Sequence, residues 1–181
     1  MASNPAAIEP SRNQLGTSNP RPRWPRRRAH HRELRHTVTP RSGEAPLDIT
    51  RSSIDTATGP VDWFTGDVYV DPIAAGNQSS RVSGGLVHFT PGARTHWHAH
   101  PYGQTVYVTE GVGRCQREGG SVEEIRPGDR VFFEPGENHW HGATPNRFMA
   151  HIAIQQLDEN GSAGRFGEPV TDAQYDGRGT A

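Results

Sequence analysis

The stretch Gly92-Ala93-Arg94-Thr95-His96-Trp97-His98-Ala99-His100-Pro101-Tyr102-Gly103-Gln104-Thr105-Val106-Tyr107-Val108-Thr109-Glu110-Gly111 decides how this chain is read. Seven of the ten histidines lie between 88 and 151. Five of those seven stand in two short runs, His96-Trp97-His98-Ala99-His100 and His139-Trp140-His141. Side chains alternate across a strand with period two, so His98 and His100 share one face, as do His139 and His141. Imidazole is the commonest protein metal ligand. One run can offer two nitrogens to an ion and the other run a third. Gln104 keeps the same parity, although Pro101 and Gly103 imply a bend on the way to it. Three imidazoles and one amide oxygen would leave two positions of an octahedron open. Such a nitrogen and oxygen set suits Mn, Fe(II), Co or Ni, whereas Zn usually takes four ligands. No thiolate enters the set, which argues against a structural zinc site.

Outward from the histidines the texture is that of a turn-rich β protein. The chain has 181 residues with 21 Gly and 15 Pro, enough for one domain and a tail. Val61 to Phe64, Val68 to Val70, Gly85 to Phe89, Thr105 to Val108, Val131 to Phe133 and Phe148 to Ile154 are short β-prone runs. Turn signals separate them, among them Asp71-Pro72, Pro91-Gly92, Glu110-Gly111, Pro127-Gly128-Asp129 and Pro135-Gly136. Many short strands at fairly regular spacing predict an all-β sandwich or barrel. Residues 158–181 read as a surface segment, with Thr171 to Tyr175 as one helical turn and 176–181 as a disordered end.

The net charge of −1 hides an asymmetry. All 19 basic residues are Arg, and nine of them stand in residues 1–45 against Glu9, Glu33 and Glu44. Residues 1–47 are rich in Pro, Ser and Arg and poor in apolar side chains, so they are expected to be disordered, ahead of a domain over 48–175. A solvated tail is the expectation there; Trp24 alone is too little aromatic content for a single-strand nucleic-acid binder. No run is long and apolar enough to span a bilayer, and no membrane partner is expected. Cys115 is the single cysteine, which excludes an intrachain disulfide and makes the cytoplasm the default setting.

Gly92, then His98-Ala99-His100, Gln104 and Gly111, resembles the first cupin motif, and Gly128-Asp129 through Pro135-Gly136 to His139 resembles the second. The resemblance implies a double-stranded β-helix, or jelly roll, with a metal inside the barrel. The chain departs from the pattern at Gln104, where a glutamate ligand is usual, at Glu134 for a common proline and at Ala143 for a common asparagine. With the glutamine, residues 49–175 look like the small bacterial cupins that act as manganese hydroxynitrile lyases of the (R)-mandelonitrile lyase type. That likeness implies a divalent metal, Mn(II) first among Fe(II), Co, Ni and Zn, held by His98, His100, Gln104 and His139. It implies His151 and His141 as catalytic pocket histidines, and Gly85, Val87 and Gln155 as lining of the substrate cavity. The residues agree in part: His151, Ala153 and Gln155 share one small, polar strand face opposite Ile152 and Ile154.

The other singled-out residues have plainer readings. His96 is expected beside the site and His88 on the outer face. Trp97 and Trp140 oppose the ligand parity and are expected in packing. Arg94 and Glu134 read as a supporting pair or as surface charges, Asp129 as a turn residue, and Cys115 as a strand residue without redox work. The function these readings imply is a metal-dependent lyase that cleaves or forms α-hydroxynitriles such as mandelonitrile, giving an aldehyde and cyanide. The alternatives are a manganese or iron cupin oxygenase or decarboxylase of a small acid, and a non-catalytic ligand-binding cupin. A homodimer or homotetramer is expected, because pairing covers exposed strand edges.

Overall fold

Turn chemistry cuts the chain beyond residue 55 into short antiparallel strands. The computed structural model describes residues 47, 49–51, 55–77 and 79–178. In chain order these hold β1 (Ala57–Thr58), β2 (Phe64–Thr65), β3 (Val68–Ala74), β4 (Val82–Phe89), β5 (Arg94–Thr95), β6 (His98–Ala99) and β7 (Gln104–Gly111). β8 (Gly113–Arg117), β9 (Glu123–Ile125), β10 (Arg130–Phe133), β11 (His139–Ala143), β12 (Met149–Gln156), β13 (Arg165–Phe166) and the single turn α1 (Asp172–Tyr175) follow. The chain divides into units of residues 1–47 and 48–181. The expectation of a disordered tail lies outside the described residues, Leu47 apart.

Two sheets curl face to face as a jelly roll, the fold class expected from the motifs. One runs β1-β3-β4-β12-β7-β10, and the other runs β13-β6-β11-β5-β2 with β8 and β9 joined through β11. The long pairs register residue on residue: His151 stands opposite Val87 on β4 and Val108 on β7. Period-two alternation does the rest. Val87, Phe89, Val106, Val108, Phe133 and Met149 point inward into one core, while Tyr107, Phe132 and Ile154 stand exposed on the outer face. Burying each large inward side chain is worth about 1.5–3 kcal/mol.

Two sequence expectations need correction. Asp71-Pro72 is not a turn: it lies inside β3, where the register with β4 shifts between Pro72 and Ala74. A proline cannot donate to the ladder, and a bulge is one place that tolerates it. The segment after β12 is not merely surface, because Phe166 packs against His98, and Leu157, Gly161 to Gly164 and Phe166 wall the central cavity. The helical turn at 172–175 forms as read, capped by Thr171, whose hydroxyl accepts from the Gln174 N–H. Beyond it the Gly177 and Arg178 N–H groups bond the Gln174 and Ala173 carbonyls, and residues 179–181 lie outside the described residues. Among the described residues no helix is long and apolar enough to cross a membrane.

Candidate metal centre

The fold brings the two histidine runs together directly. β6 pairs with β11 so that His98 stands opposite His139. After β6 the chain turns at Pro101-Tyr102, and Gly103 takes φ +77°, a left-handed conformation that suits glycine. β7 then begins at Gln104, which the bend returns to the site. The ligand atoms of His98, His100 and His139 lie within 4.8 Å of one another, and all three side chains are buried.

The ring tautomers follow from the backbone. His98 Nδ1–H donates to the His96 carbonyl at 2.9 Å, and His139 Nδ1–H donates to the Glu137 carbonyl at 2.8 Å. His100 Nδ1–H donates to the Ala163 carbonyl at 2.8 Å. A neutral imidazole carries one N–H, so each Nε2 keeps a lone pair. His100 Nε2 is buried with no hydrogen-bond partner. Gln104 Nε2 donates to Gln155 Oε1 at 3.3 Å, which aims Gln104 Oε1 back at the histidines. That oxygen lies 3.2 Å from His139 Nε2, a second acceptor with no proton of its own. An orphaned buried acceptor and two acceptors in mutual contact fit a cation at this position. The three histidines can hold a metal ion.

Burial keeps these rings neutral. It pushes the pKa of His98 and His141 well below the ordinary imidazole range, with neighbouring imidazoles adding to the effect. His100 is lowered by burial against its bond to Ala163, and His139 falls to about 3 by burial. Two ring stacks fix the planes: Phe133 lies 3.7 Å from the His139 ring at 7°, and Phe166 lies 4.9 Å from the His98 ring at 12°.

Beside the three histidines a second pair forms a relay. Gln104 Oε1 accepts from His141 Nε2–H at 3.2 Å, which leaves His141 Nδ1 to accept from His151 Nε2–H at 3.2 Å. The free lone pair of the chain is then His151 Nδ1, which is buried and has no partner. Burial depresses the His151 pKa to about 3.

A cavity of about 680 Å³ opens onto this array, and Gly85, Val87, Gln104, His141, His151 and Gln155 all line it. His139 is not on its wall but behind Gln104. The remaining residues sort themselves by contact. His96 is buried but contributes its backbone carbonyl, not its ring, to the centre. His88 sits on the outer face against Asp71 at 3.1 Å. Trp97 and Trp140 pack with Val170 and Tyr175, and Trp140 Nε1–H donates to Gln116. Asp129 holds its turn by accepting from the Arg126 N–H. Arg94 and Glu134 are not a pair: Arg94 is buried against Val170 and Asp172, and Glu134 is exposed. The sequence reading missed Ala163 and Phe166, which reach the site from the loop after β12. Neither carries a sequence signal, since one acts through its carbonyl and the other through a distant stack.

The cupin domain family matches residues 85–152, which contain both histidine runs and the start of β12. A 131-residue stretch is 58% identical to a protein of Granulicella tundricola named (R)-mandelonitrile lyase, covering 71% of this chain and 98% of that one. The chain belongs to the cupin family. Among solved structures this cupin is similar to a cupin-like protein of Thermotoga maritima, with 35% identity and a TM-score of 0.62 over 71% of this chain and 95% of the other. A cupin-2 domain protein of Rhodospirillum rubrum shares the fold at 15% identity and TM-score 0.56, covering 75% and 97% of the two chains. The similarity to the protein named as a lyase runs over nearly that protein's whole length.

Proposed function

We propose that this cupin is a metal-dependent hydroxynitrile lyase, converting an α-hydroxynitrile such as mandelonitrile into an aldehyde and hydrogen cyanide. The observation that carries the reading is a buried three-histidine cluster beside a cavity lined by His98 and His100, with His100 Nε2 and His151 Nδ1 both buried and unpartnered. The 58% identity to a protein named (R)-mandelonitrile lyase supports it. His98, His100, His139 and Gln104 would hold a divalent ion, Mn(II) by preference, which supplies Lewis acidity toward a hydroxyl or nitrile. The amide of Gln104 brings no negative charge, so the site as a whole stays receptive to an alkoxide or to cyanide.

The chain's own groups then do the following. The cavity wall of Gly85, Val87 and Gln155 receives the substrate and excludes water. His151 Nδ1, neutral under working conditions, takes the hydroxyl proton. The bond between the carbinol carbon and the nitrile carbon breaks, its electron pair leaves with cyanide, and the oxygen becomes the aldehyde carbonyl. A buried imidazolium is a strong acid, so His151 returns the proton to cyanide and is restored. His141 holds the tautomer of His151 through their hydrogen bond.

The proposal extends to a homo-oligomer in the cytoplasm. Exposed Ile154, Tyr107 and Phe132 on neighbouring strands of one face support a surface that a second copy covers. The test of the reaction is elemental analysis and cyanide release on the same sample of wild type and His139→Ala. Loss of both metal and cyanide release is expected. Retention of both in the variant overturns the assignment, and oxygen uptake or carbon dioxide release from small acids in place of cyanide release favours the oxidative or decarboxylating alternative.

A further inference from the structure

Of the three histidines, two have their Nδ1 tied off locally, and one does not. His98 and His139 each donate to the carbonyl two residues upstream, His96 and Glu137. Both partners belong to the same local stretch of chain as the histidine. His100 donates to Ala163, 63 residues away in the loop between β12 and β13. Its ring orientation therefore depends on a separate segment being closed onto the barrel.

That loop is internally organised. The Asp158 carboxylate accepts from the N–H groups of Asn160 and Ser162, both at 2.8 Å. The Asp158 N–H donates to the Ser162 carbonyl at 2.8 Å, and the Ser162 hydroxyl donates to the Gly164 carbonyl at 3.0 Å. Gly164 permits the close approach: a Cβ there would stand 2.6 Å from the Ala99 carbonyl oxygen and 2.9 Å from His100 Nδ1. β13 then pairs with β6, which lays Phe166 over His98. From this segment Leu157, Gly161 to Gly164 and Phe166 form one wall of the cavity, while Asp158 lies off it.

The geometry points to Asp158 as a positioning residue for His100, acting through a strap over 158–164 that sets metal affinity and closes the cavity together. The inference rests on the metal-site part of the proposed function and not on the lyase reaction. Outer partners of ligating histidines commonly tune metal affinity, because they fix tautomer and ring direction. The coupling is reciprocal: an ion that holds His100 in place also steadies the strap.

The experiment uses the full-length protein, stripped with chelator and titrated with Mn(II) alone by calorimetry. Asp158→Ala is expected to weaken Mn(II) binding about tenfold or more. Asp158→Asn keeps the acceptor oxygen and is expected to restore affinity to within about threefold. Amide hydrogen exchange at 159–164 is expected to slow when Mn(II) is added to wild type. Gly164→Ala, which leaves Asp158 intact but pushes the loop off His100, is expected to weaken Mn(II) binding as well and keeps the test open if Asp158→Ala fails to fold. Melting of the metal-free variants separates a general loss of stability from a loss at the site. Undiminished Mn(II) affinity in a folded Asp158→Ala overturns the proposal whatever Gly164→Ala does, and undiminished affinity in Gly164→Ala overturns it where Asp158→Ala does not fold. A wild type that binds no divalent metal overturns the strap and the metal site together, whereas a wild type that binds Mn(II) but releases no cyanide overturns the lyase reading alone.

Discussion

Replacing Gln155 by leucine tests what aims the Gln104 amide. In the folded protein Gln104 Nε2 donates to Gln155 Oε1 at 3.3 Å, while Gln104 Oε1 lies 3.2 Å from both His139 Nε2 and His141 Nε2. Turning the amide over would break the first bond and bring two amide oxygens together. The net worth of a neutral hydrogen bond is about 1 kcal/mol, roughly a factor of five in the population of the oxygen-inward rotamer. Gln155→Leu removes that preference and leaves a partly buried N–H without its acceptor. Mn(II) affinity should fall about twofold, since the oxygen-inward share drops from roughly five in six to roughly one in two and the misoriented amide presents protons to the ion. Gln155→Glu retains an acceptor at the same place and should bind Mn(II) at least as tightly as wild type. Titration of the metal-free proteins with Mn(II) reads all three. Wild-type affinity in Gln155→Leu would refute the reasoning, because the orientation of Gln104 would then owe nothing to Gln155.

Arg94 is expected to matter far more than its visible salt bridge. Its side chain is 9% exposed and donates twice to the Val170 carbonyl, while its ionic partner Asp172 is 90% exposed. Arg94→Ala should cost about 3–5 kcal/mol in urea unfolding through the lost charge-assisted bonds and the stranded carbonyl, whereas Asp172→Ala should cost under about 1 kcal/mol; equal losses would show that the surface pair carries the energy. Acid should destabilise the metal-free protein through His151. That ring stays neutral to about pH 3 when folded and takes up a proton below the ordinary imidazole pKa when unfolded. The unfolded state then binds more protons, so its contribution is complete above about pH 6.5 and is lost as pH falls toward 3. Between pH 7 and 5 this amounts to about 2 kcal/mol, and His151→Phe should flatten the pH dependence of urea midpoints by that amount; an unchanged slope contradicts it.

The parts of the site that could be read in advance are those with local causes. His98 and His100 share a face because strand geometry is periodic, and β11 repeats the pattern with His139 and His141. The bend before Gln104 announces itself through Pro101 and Gly103. The strand pairs β4, β7 and β12 show in their alternation, and α1 shows in its Thr171 cap. β8, β9 and β13 are not evident, since five, three and two mixed residues carry no usable period. Asp71-Pro72 misled because a proline at a bulge has the same composition as a proline in a turn. Arg94 is neither paired with Glu134 nor a surface charge, because its partners, Val170 and Asp172, lie 76 and 78 residues downstream, beyond any local pattern.

Which side chains can bind a cation, and which of them share a face, is legible in the residues themselves, because ligand type and strand parity are properties of near neighbours. How those ligands are aimed follows from contacts made when the barrel closes. His100 takes its tautomer from Ala163, Gln104 its orientation from Gln155, and His98 its ring plane from Phe166. Each of these contacts joins segments far apart in the chain. Such contacts are set by how the barrel closes, and a one-dimensional pattern carries no period for them.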